Sequence, residues 1–562
     1  MSRIAALLIA LITLSSSYAA TSLSIDFSKT INTVPDYMYG TNVKGSGGNP
    51  SYIYLDGTTR ALANYTWHRQ MIDAANINYM RKDMYLECNS KADGTFWHTG
   101  DCSNIDISTS QVEWAAQSGK KMLFIASYMP TWLADVSAIC ASRHNSCPPT
   151  SYDRWGKLVV DFLDVVTQNG KYADSIEVEV WNEPYLSFLA SDGTIQDRIS
   201  IYMKLYNATY AAIKAKYPQI RVGGPSGTYG YMQGPVLSDA FFAQVDPDKV
   251  DFVTMHEYGD AYLVRDMQTA MDRIRAAGFG DKEVEWTEYQ VSDSTVQLGN
   301  PNTYYRYLAN TMMYMLNNES NVKSMDFYQW MEPYPYNAQD YWEYPSRFDM
   351  VSDPSLSNKL YVGFNFSRDF GTYHPAGAKI VQSASTKSNL QILASNGTKY
   401  HFTITDSNGV SATTINITGL DIANVTDIRT GQVYVVNNGV VDVGIVSNSV
   451  RHFLASPAIV EENITSPENI TIQDNSTISS QPETPIILEP LAPIPPTPKQ
   501  QPMYGQQQQT YAGYVAQYDK ADLPLIVSDG IGTLLASIVD FADLIVIAGV
   551  LSYLWYLRFN KF

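Results

Sequence analysis

Between Tyr37 and Trp330, short apolar runs alternate eight times with polar loops and amphipathic helical stretches. The runs fall at 37–42, 78–83, 122–127, 176–183, 220–224, 251–257, 284–288 and 324–330, with helical periodicity between them at 61–75, 155–167, 199–216, 266–277 and 304–316. A strand that reaches the next strand through a helix runs parallel to it, so the pattern predicts a parallel sheet. Eight such units predict a closed (β/α)8 TIM barrel, an α/β fold, over residues 35–384, rather than an open doubly wound sheet. No Gly-x-Gly-x-x-Gly follows the first strand, which argues further against a dinucleotide-binding fold.

The rest of the chain is organised around that barrel. From 385 to 457 the helical period disappears, and short β-rich runs are separated by turn pairs such as Asn396-Gly397 and Asn438-Gly439. That predicts hairpins and hence an accessory antiparallel β-sandwich, joined by the N-terminal strand at 21–34, which otherwise lacks a partner. Residues 458–522 are rich in Pro, Thr, Ser and Gln and lack periodicity, the composition of an extended, disordered stalk.

Both ends carry membrane-related signals. Arg3 followed by the apolar run Ile4 to Leu14 and by Ser17-Tyr18-Ala19-Ala20 reads as a signal peptide over 1–20; the run is short for a membrane anchor. Residues 531–557 are apolar enough to span a bilayer with tilt and are followed by Arg558 and Lys561, so 523–562 is expected to be a C-terminal transmembrane anchor with a short basic tail. Asp540 and Asp543 interrupt the run. Either the span begins near Phe541, or the two aspartates face another helix of a homo-oligomer. Ten Asn-x-Ser/Thr sequons fit a glycosylated surface protein. The four cysteines, Cys88, Cys102, Cys140 and Cys147, fit two disulfides of an exported protein and lack zinc-site spacing. Three connectivities are open, and sequential pairing (88 with 102, 140 with 147) closes the shortest loops. The chain is thus expected outside the cell, or on a particle, held at the surface by the stalk and anchor.

A net charge of −18 excludes a broad basic face for nucleic acid. Its carboxylates become informative at two strand ends. Glu177-Val178-Glu179-Val180 alternates at period two and stops at Trp181-Asn182-Glu183-Pro184; Trp286-Thr287-Glu288 ends the seventh strand. Barrel active sites are built where the strands end. Strands four and seven face each other across that mouth, so Glu183 and Glu288 are expected about 5 Å apart, the spacing of a retaining glycosidase pair. Glu285 and Glu332 are weaker candidates, since neither follows Trp-Thr or Trp-Asn at a strand end. This chemistry calls for no metal or cofactor, and the histidines are scattered.

Those two motifs together resemble clan A of the glycoside hydrolases, and the Glu-Val-Trp-Asn-Glu-Pro wording is closest to family 39, which includes β-xylosidases and α-iduronidases and places a β-sandwich beside the barrel. The resemblance implies Glu183 as general acid/base, Glu288 as nucleophile and Asn182 as partner of the sugar 2-hydroxyl. It implies that Tyr258, in the His256-Glu257-Tyr258 end of strand six, hydrogen-bonds the nucleophile; the alternative for His256 is a core histidine. Arg81 would pair with Glu288, or else balance an interior carboxylate such as Glu179. Trp330 would be the floor under the sugar ring, or an ordinary core aromatic. After strand three, Tyr128-Met129-Pro130-Thr131-Trp132 stands where some clan members carry a histidine, so Tyr128 and Trp132 are expected at the substrate-binding mouth in altered form. The expected function is a membrane-anchored extracellular retaining glycoside hydrolase acting on a carbohydrate substrate. The rival is a non-catalytic carbohydrate-binding spike on the same barrel, which has no need of both glutamates; transglycosylation would use the same residues.

Overall fold

A computed structural model describes residues 21–43, 68–96, 105–136, 140, 144–188, 194–230, 233–259, 262–291, 301–328, 362–386, 390–406, 410–447 and 449–458. After strand β1 (Thr21–Thr33), eight parallel strands follow one another around a closed barrel. They are β2 (Tyr39–Asn42), β3 (Tyr79–Asp83), β4 (Lys121–Ala126), β5 (Ile176–Val180), β6 (Arg221–Gly227), β7 (Phe252–Gly259), β8 (Glu283–Val291) and β9 (Val322–Phe327). Pairing of β9 with β2 closes the ring.

The alternation in β5 acquires a structural meaning here. All five residues of β5 are buried. Glu177 and Glu179 point into the barrel, while Ile176, Val178 and Val180 join the apolar layer shared with the helices. The barrel interior is therefore charged, and Glu177, Glu179 and Arg81 have ionic partners there. Near the strand starts Glu177 meets Lys323 at 2.6 Å, Arg221 at 3.0 Å and Lys121 at 3.1 Å, and the Tyr79 hydroxyl bridges Glu177 at 2.5 Å and Glu285 at 2.6 Å, its one hydrogen serving one of the two contacts. One layer higher, Arg81 meets Glu179. Burial opposes the charge on Glu177, but the three cations outweigh it and hold its carboxyl well below the usual range; burial and the neighbouring Glu177 push Glu285 up to about 8.

The outer layer follows helical pattern and capping. The helix Tyr152–Val166 buries Trp155, Leu158, Val159, Phe162 and Val166, one face at helical spacing, and the Ser151 hydroxyl caps its start. Trp155 donates through its indole N–H to Thr209 on the helix Ile195–Lys216, which begins with a Thr194/Asp197 capping box.

The second sheet contains β1 and β10 (Lys379–Ser385), β11 (Leu390–Asn396), β12 (Tyr400–Asp406), β13 (Val410–Thr418), β14 (Ile422–Asp427), β15 (Val433–Val435), β16 (Val440–Ser447) and β17 (Val450–Pro457). Their order is β15-β14-β17-β12-β11-β10-β1-β13-β16. Instead of two separate sheets it is one continuous ladder around an apolar core that includes Leu23, Ile25, Ile392, Phe402, Ile415 and Phe453. β1 lies inside it, antiparallel to β10 and parallel to β13. Because Lys379–Ser385 belongs to this ladder, the sheet begins before the expected boundary at 385; the helix Val362–Tyr373 ends just ahead of it. Asn438 and Gly439, both at positive φ, make the tight turn into β16.

Sheet and barrel meet through a polar seam. His374 bonds Ser395 and Thr403 at 2.8 Å each, His452 bonds Thr403 at 2.8 Å and the Tyr305 hydroxyl at 3.1 Å, and Arg306 donates to the Asp406 carbonyl. Cys140 and Cys147 form a disulfide. The expected signal peptide, stalk and transmembrane anchor, together with Trp330, Glu332 and Cys102, lie outside the described residues, as does the side chain of Cys88 and so the pairing of 88 with 102. Among the described residues no helix is long and apolar enough to cross a membrane.

Candidate active site

Irregular backbone at the C-terminal ends of β5, β6 and β8 aims the polar side chains. Along β7 and β8, Met255 pairs with Trp286 but His256 pairs with Glu288, so Thr287 is an extra residue in β8. Such a bulge breaks the in-out alternation. Thr287 and Glu288 consequently both face inward, Thr287 donating to Glu179 at 2.8 Å and Glu288 accepting from Arg81 at 2.5 Å. A second register shift, between Pro225 and Gly227, frees Ser226 from pairing with β7. Trp181, Glu183 and Ser226 all have positive φ, although none is glycine. Strain of this kind gathers where a site over-determines its backbone.

Arg81 organises the floor. Fully buried, it donates to Glu179 at 2.5 and 2.7 Å, to Glu288 at 2.5 Å, to the Asn42 side-chain oxygen at 2.7 Å and to the Asn182 side-chain oxygen at 2.8 Å. Burial works against its charge, but Glu179 and Glu288 outweigh that and hold the guanidinium well above its ordinary pKa. The bond to Asn182 turns the amide N–H edge of that residue away from Arg81. Asn42 also donates to the Thr287 carbonyl at 2.8 Å, which fastens the bulge.

The two carboxylates are held differently. Glu288 accepts from Arg81 on Oε1 and from the Tyr258 hydroxyl, at 2.5 Å, on Oε2. Glu183 accepts the Tyr185 hydroxyl on Oε1 at 2.8 Å and lies 3.1 Å through the same oxygen from Nδ1 of His256. Burial first, and the adjacent carboxylate second, push both Tyr258 and Tyr185 well above the usual tyrosine range, so each stays a phenol and donates. His256 is fully buried between the pair, its Nδ1 3.7 Å from Glu288 Oε2. One carboxylate oxygen of each glutamate and one His256 ring nitrogen lie within 4.8 Å of one another. That trio has metal-ligand types, but the Arg81 guanidinium and the Tyr258 hydroxyl already occupy the oxygens of Glu288, so the donor set fits a reacting carboxylate better than a cation.

The chain is similar in sequence and in fold to known glycosidases. Residues 112–327 match the model of Glycosyl hydrolases family 39. A beta-xylosidase from Caldicellulosiruptor saccharolyticus is 32% identical over 158 residues, 28% of this chain and 30% of that protein. A beta-xylosidase from Geobacillus stearothermophilus is 31% identical over 118 residues, 21% of this chain and 22% of that one. The barrel resembles a family 39 glycosyl hydrolase. Each match spans less than a third of the relative's own length. In fold, the likeness extends further: the crystal structure of a monomeric beta-xylosidase from Caulobacter crescentus CB15 superposes with a TM-score of 0.56 at 17% identity, covering 78% of this chain and all of that one.

The family 39 segment contains Asn182, Glu183, His256, Tyr258 and Glu288; Arg81 lies before it in sequence and reaches the same cluster through β3. Tyr128 sits edge-on to Trp181, ring centroids 5.6 Å apart, and its backbone N–H donates to Glu87, a carboxyl that burial raises to about 7. Trp132 packs against Arg154 of the helix Tyr152–Val166, whose guanidinium lies 5.1 Å from its ring centre. Glu285 is bonded by Tyr79 deep in the barrel, away from the pair. Asn42, Tyr185, Ser226 and Thr287 belong to the cluster but were not singled out from sequence. Their local signals are slight: Tyr185 directly follows Asn-Glu-Pro, and Ser226 follows Gly-Gly-Pro at a strand end.

Proposed function

We propose that this barrel is a retaining O-glycoside hydrolase, with Glu183 as general acid/base and Glu288 as nucleophile. The observation that carries the reading is the approach of the two carboxylates to within 4.8 Å in contrasting surroundings. Retaining pairs stand about 5–5.5 Å apart, whereas inverting pairs leave roughly 6.5–9.5 Å for a water. Arg81 and Tyr258 favour the ionised, oriented form of Glu288, which attacks the anomeric carbon while Glu183 gives its proton to the departing oxygen. Glu183 then takes a proton from the water that displaces Glu288. Asn182, its oxygen fixed by Arg81, presents its amide N–H to the sugar 2-hydroxyl. Both matched relatives are named beta-xylosidases, so a β-xylosyl group is the first glycone to test.

The test is covalent trapping. The full-length protein is incubated with activated 2-deoxy-2-fluoro glycosides, β-xylosyl first and then β-glucosyl, β-galactosyl and α-L-iduronyl, and any adduct is mapped by mass spectrometry. A label on Glu288 that is absent in Glu288→Gln is expected. A label on another residue would overturn the site assignment, and tight glycan binding with no label or turnover would favour the non-catalytic binder.

The same proposal places the enzyme outside the cell, anchored through 523–562. The apolar run at 531–557 and its basic flank support this, as do the signal-like start and the Cys140–Cys147 disulfide. Release of the barrel from intact cells by a protease that cuts the stalk is expected; its retention in the cytosolic fraction would refute the anchor.

A further inference from the structure

Oε1 of Glu183 accepts the Tyr185 phenol at 2.8 Å and faces Nδ1 of His256 at 3.1 Å, with Glu288 Oε2 a further 3.7 Å from that nitrogen. A bare Nδ1 lone pair would confront two carboxylate oxygens, so Nδ1 carries the ring proton. In a neutral imidazole Nε2 is then an acceptor. The hydroxyl 2.9 Å from Nε2 belongs to Ser226. The same Oγ accepts the backbone N–H of Glu183 at 3.3 Å, which leaves its own hydrogen to donate to Nε2. Ser226 is itself fully buried, held at φ 55 by the shift in β6 and by donation of its N–H to Thr254 at 2.9 Å.

We propose that Ser226 is a positioning residue for proton delivery: by fixing the tautomer of His256 and the backbone of Glu183 together, it keeps Oε1 occupied by two donors and places the acid's proton on Oε2. No covalent step is added to the reaction. During bond cleavage the Oε2 proton passes to the leaving oxygen, and the carboxylate that remains is stabilised on Oε1 by Tyr185 and His256. This inference rests on Glu183 being the acid.

The experiment uses the full chain and a series of aryl glycosides of whichever glycone the protein turns over, from dinitrophenyl, which leaves without protonation, to phenyl, which needs it. General acid catalysis is worth roughly 10²–10⁴-fold. Ser226→Ala is expected to lower kcat/KM for the phenyl glycoside by roughly 10-fold or more, a part of that range, and to change the dinitrophenyl glycoside by less than about 3-fold. Ser226→Thr keeps the hydroxyl and is expected to restore most of the phenyl rate. A uniform loss on both substrates, as a merely structural role would give, overturns the proposal, and so does an unchanged phenyl rate. Glu183→Ala is run beside them: if it shows no dependence on the leaving group, the assignment of the acid itself has failed, whatever Ser226 does.

Discussion

Replacing Arg81 by methionine isolates what the charged barrel interior is worth. The substitution keeps length and apolar bulk but removes a fully buried cation that touches Glu179 and Glu288 at 2.5 Å each. Glu179 would keep the Thr287 hydroxyl and Glu288 the Tyr258 hydroxyl, but both carboxylates would stay buried without the guanidinium. Breaking a buried pair from one side costs about 3–5 kcal/mol, because it leaves an uncompensated charge. Against a typical domain stability of about 5–15 kcal/mol that is a large fraction. Urea unfolding followed by tryptophan fluorescence measures it. The double variant Arg81→Met with Glu179→Gln removes one stranded charge while an amide oxygen remains for Thr287, and it is expected to recover about half of the loss or more. Hydrolysis is not expected to recover with it, since Glu288 and Asn182 still lack their guanidinium. A single variant that loses less than about 1 kcal/mol, or a double variant whose losses simply add, would refute the idea that Arg81 balances both carboxylates.

Gly40→Ala would place a Cβ 1.8 Å from the Asp326 carboxylate inside the barrel, so a loss of about 1–3 kcal/mol or more is expected, relieved by adding Asp326→Ser and read as melting temperature. Burial pushes the His452 ring from 6.5 down to about 3; unfolding therefore binds a proton in that window, and stability falls as pH drops from 6.5 towards 3, a slope that His452→Gln should flatten in urea titrations. Glu257 has the opposite sign: burial raises it from 4.5 to about 7, so its contribution is present below 4.5 and lost as pH rises through 7, and Glu257→Gln should remove that decline. Serine at both Cys140 and Cys147 should cost about 2–3 kcal/mol by freeing a short loop in the unfolded chain, measured by urea unfolding against the unsubstituted protein.

The residues that were legible in the sequence are those whose role is declared by their own strand. Period-two alternation in Ile176–Val180, ending in Trp-Asn-Glu-Pro, located Glu183 because the end of a barrel strand is a fixed place relative to the mouth. Arg81 was legible as well, though as two competing readings, a partner for Glu288 or a counter-charge for Glu179. The structure makes both true at once, because a guanidinium offers several donors in a planar fork: Nε and Nη2 meet Glu179 while Nη1 meets Glu288. What stayed hidden depends on two strands together. The bulge at Thr287 exists only in the register of β8 against β7, and the freed Ser226 only in that of β6 against β7; neither is a property of local sequence. Yet those two irregularities decide the chemistry. Without the first, alternation would turn Glu288 away from the lumen that Glu285 and Thr287 face. Without the second, no hydroxyl would stand between the Glu183 backbone and His256. The barrel supplies the place, and two departures from its regular pairing supply the aim.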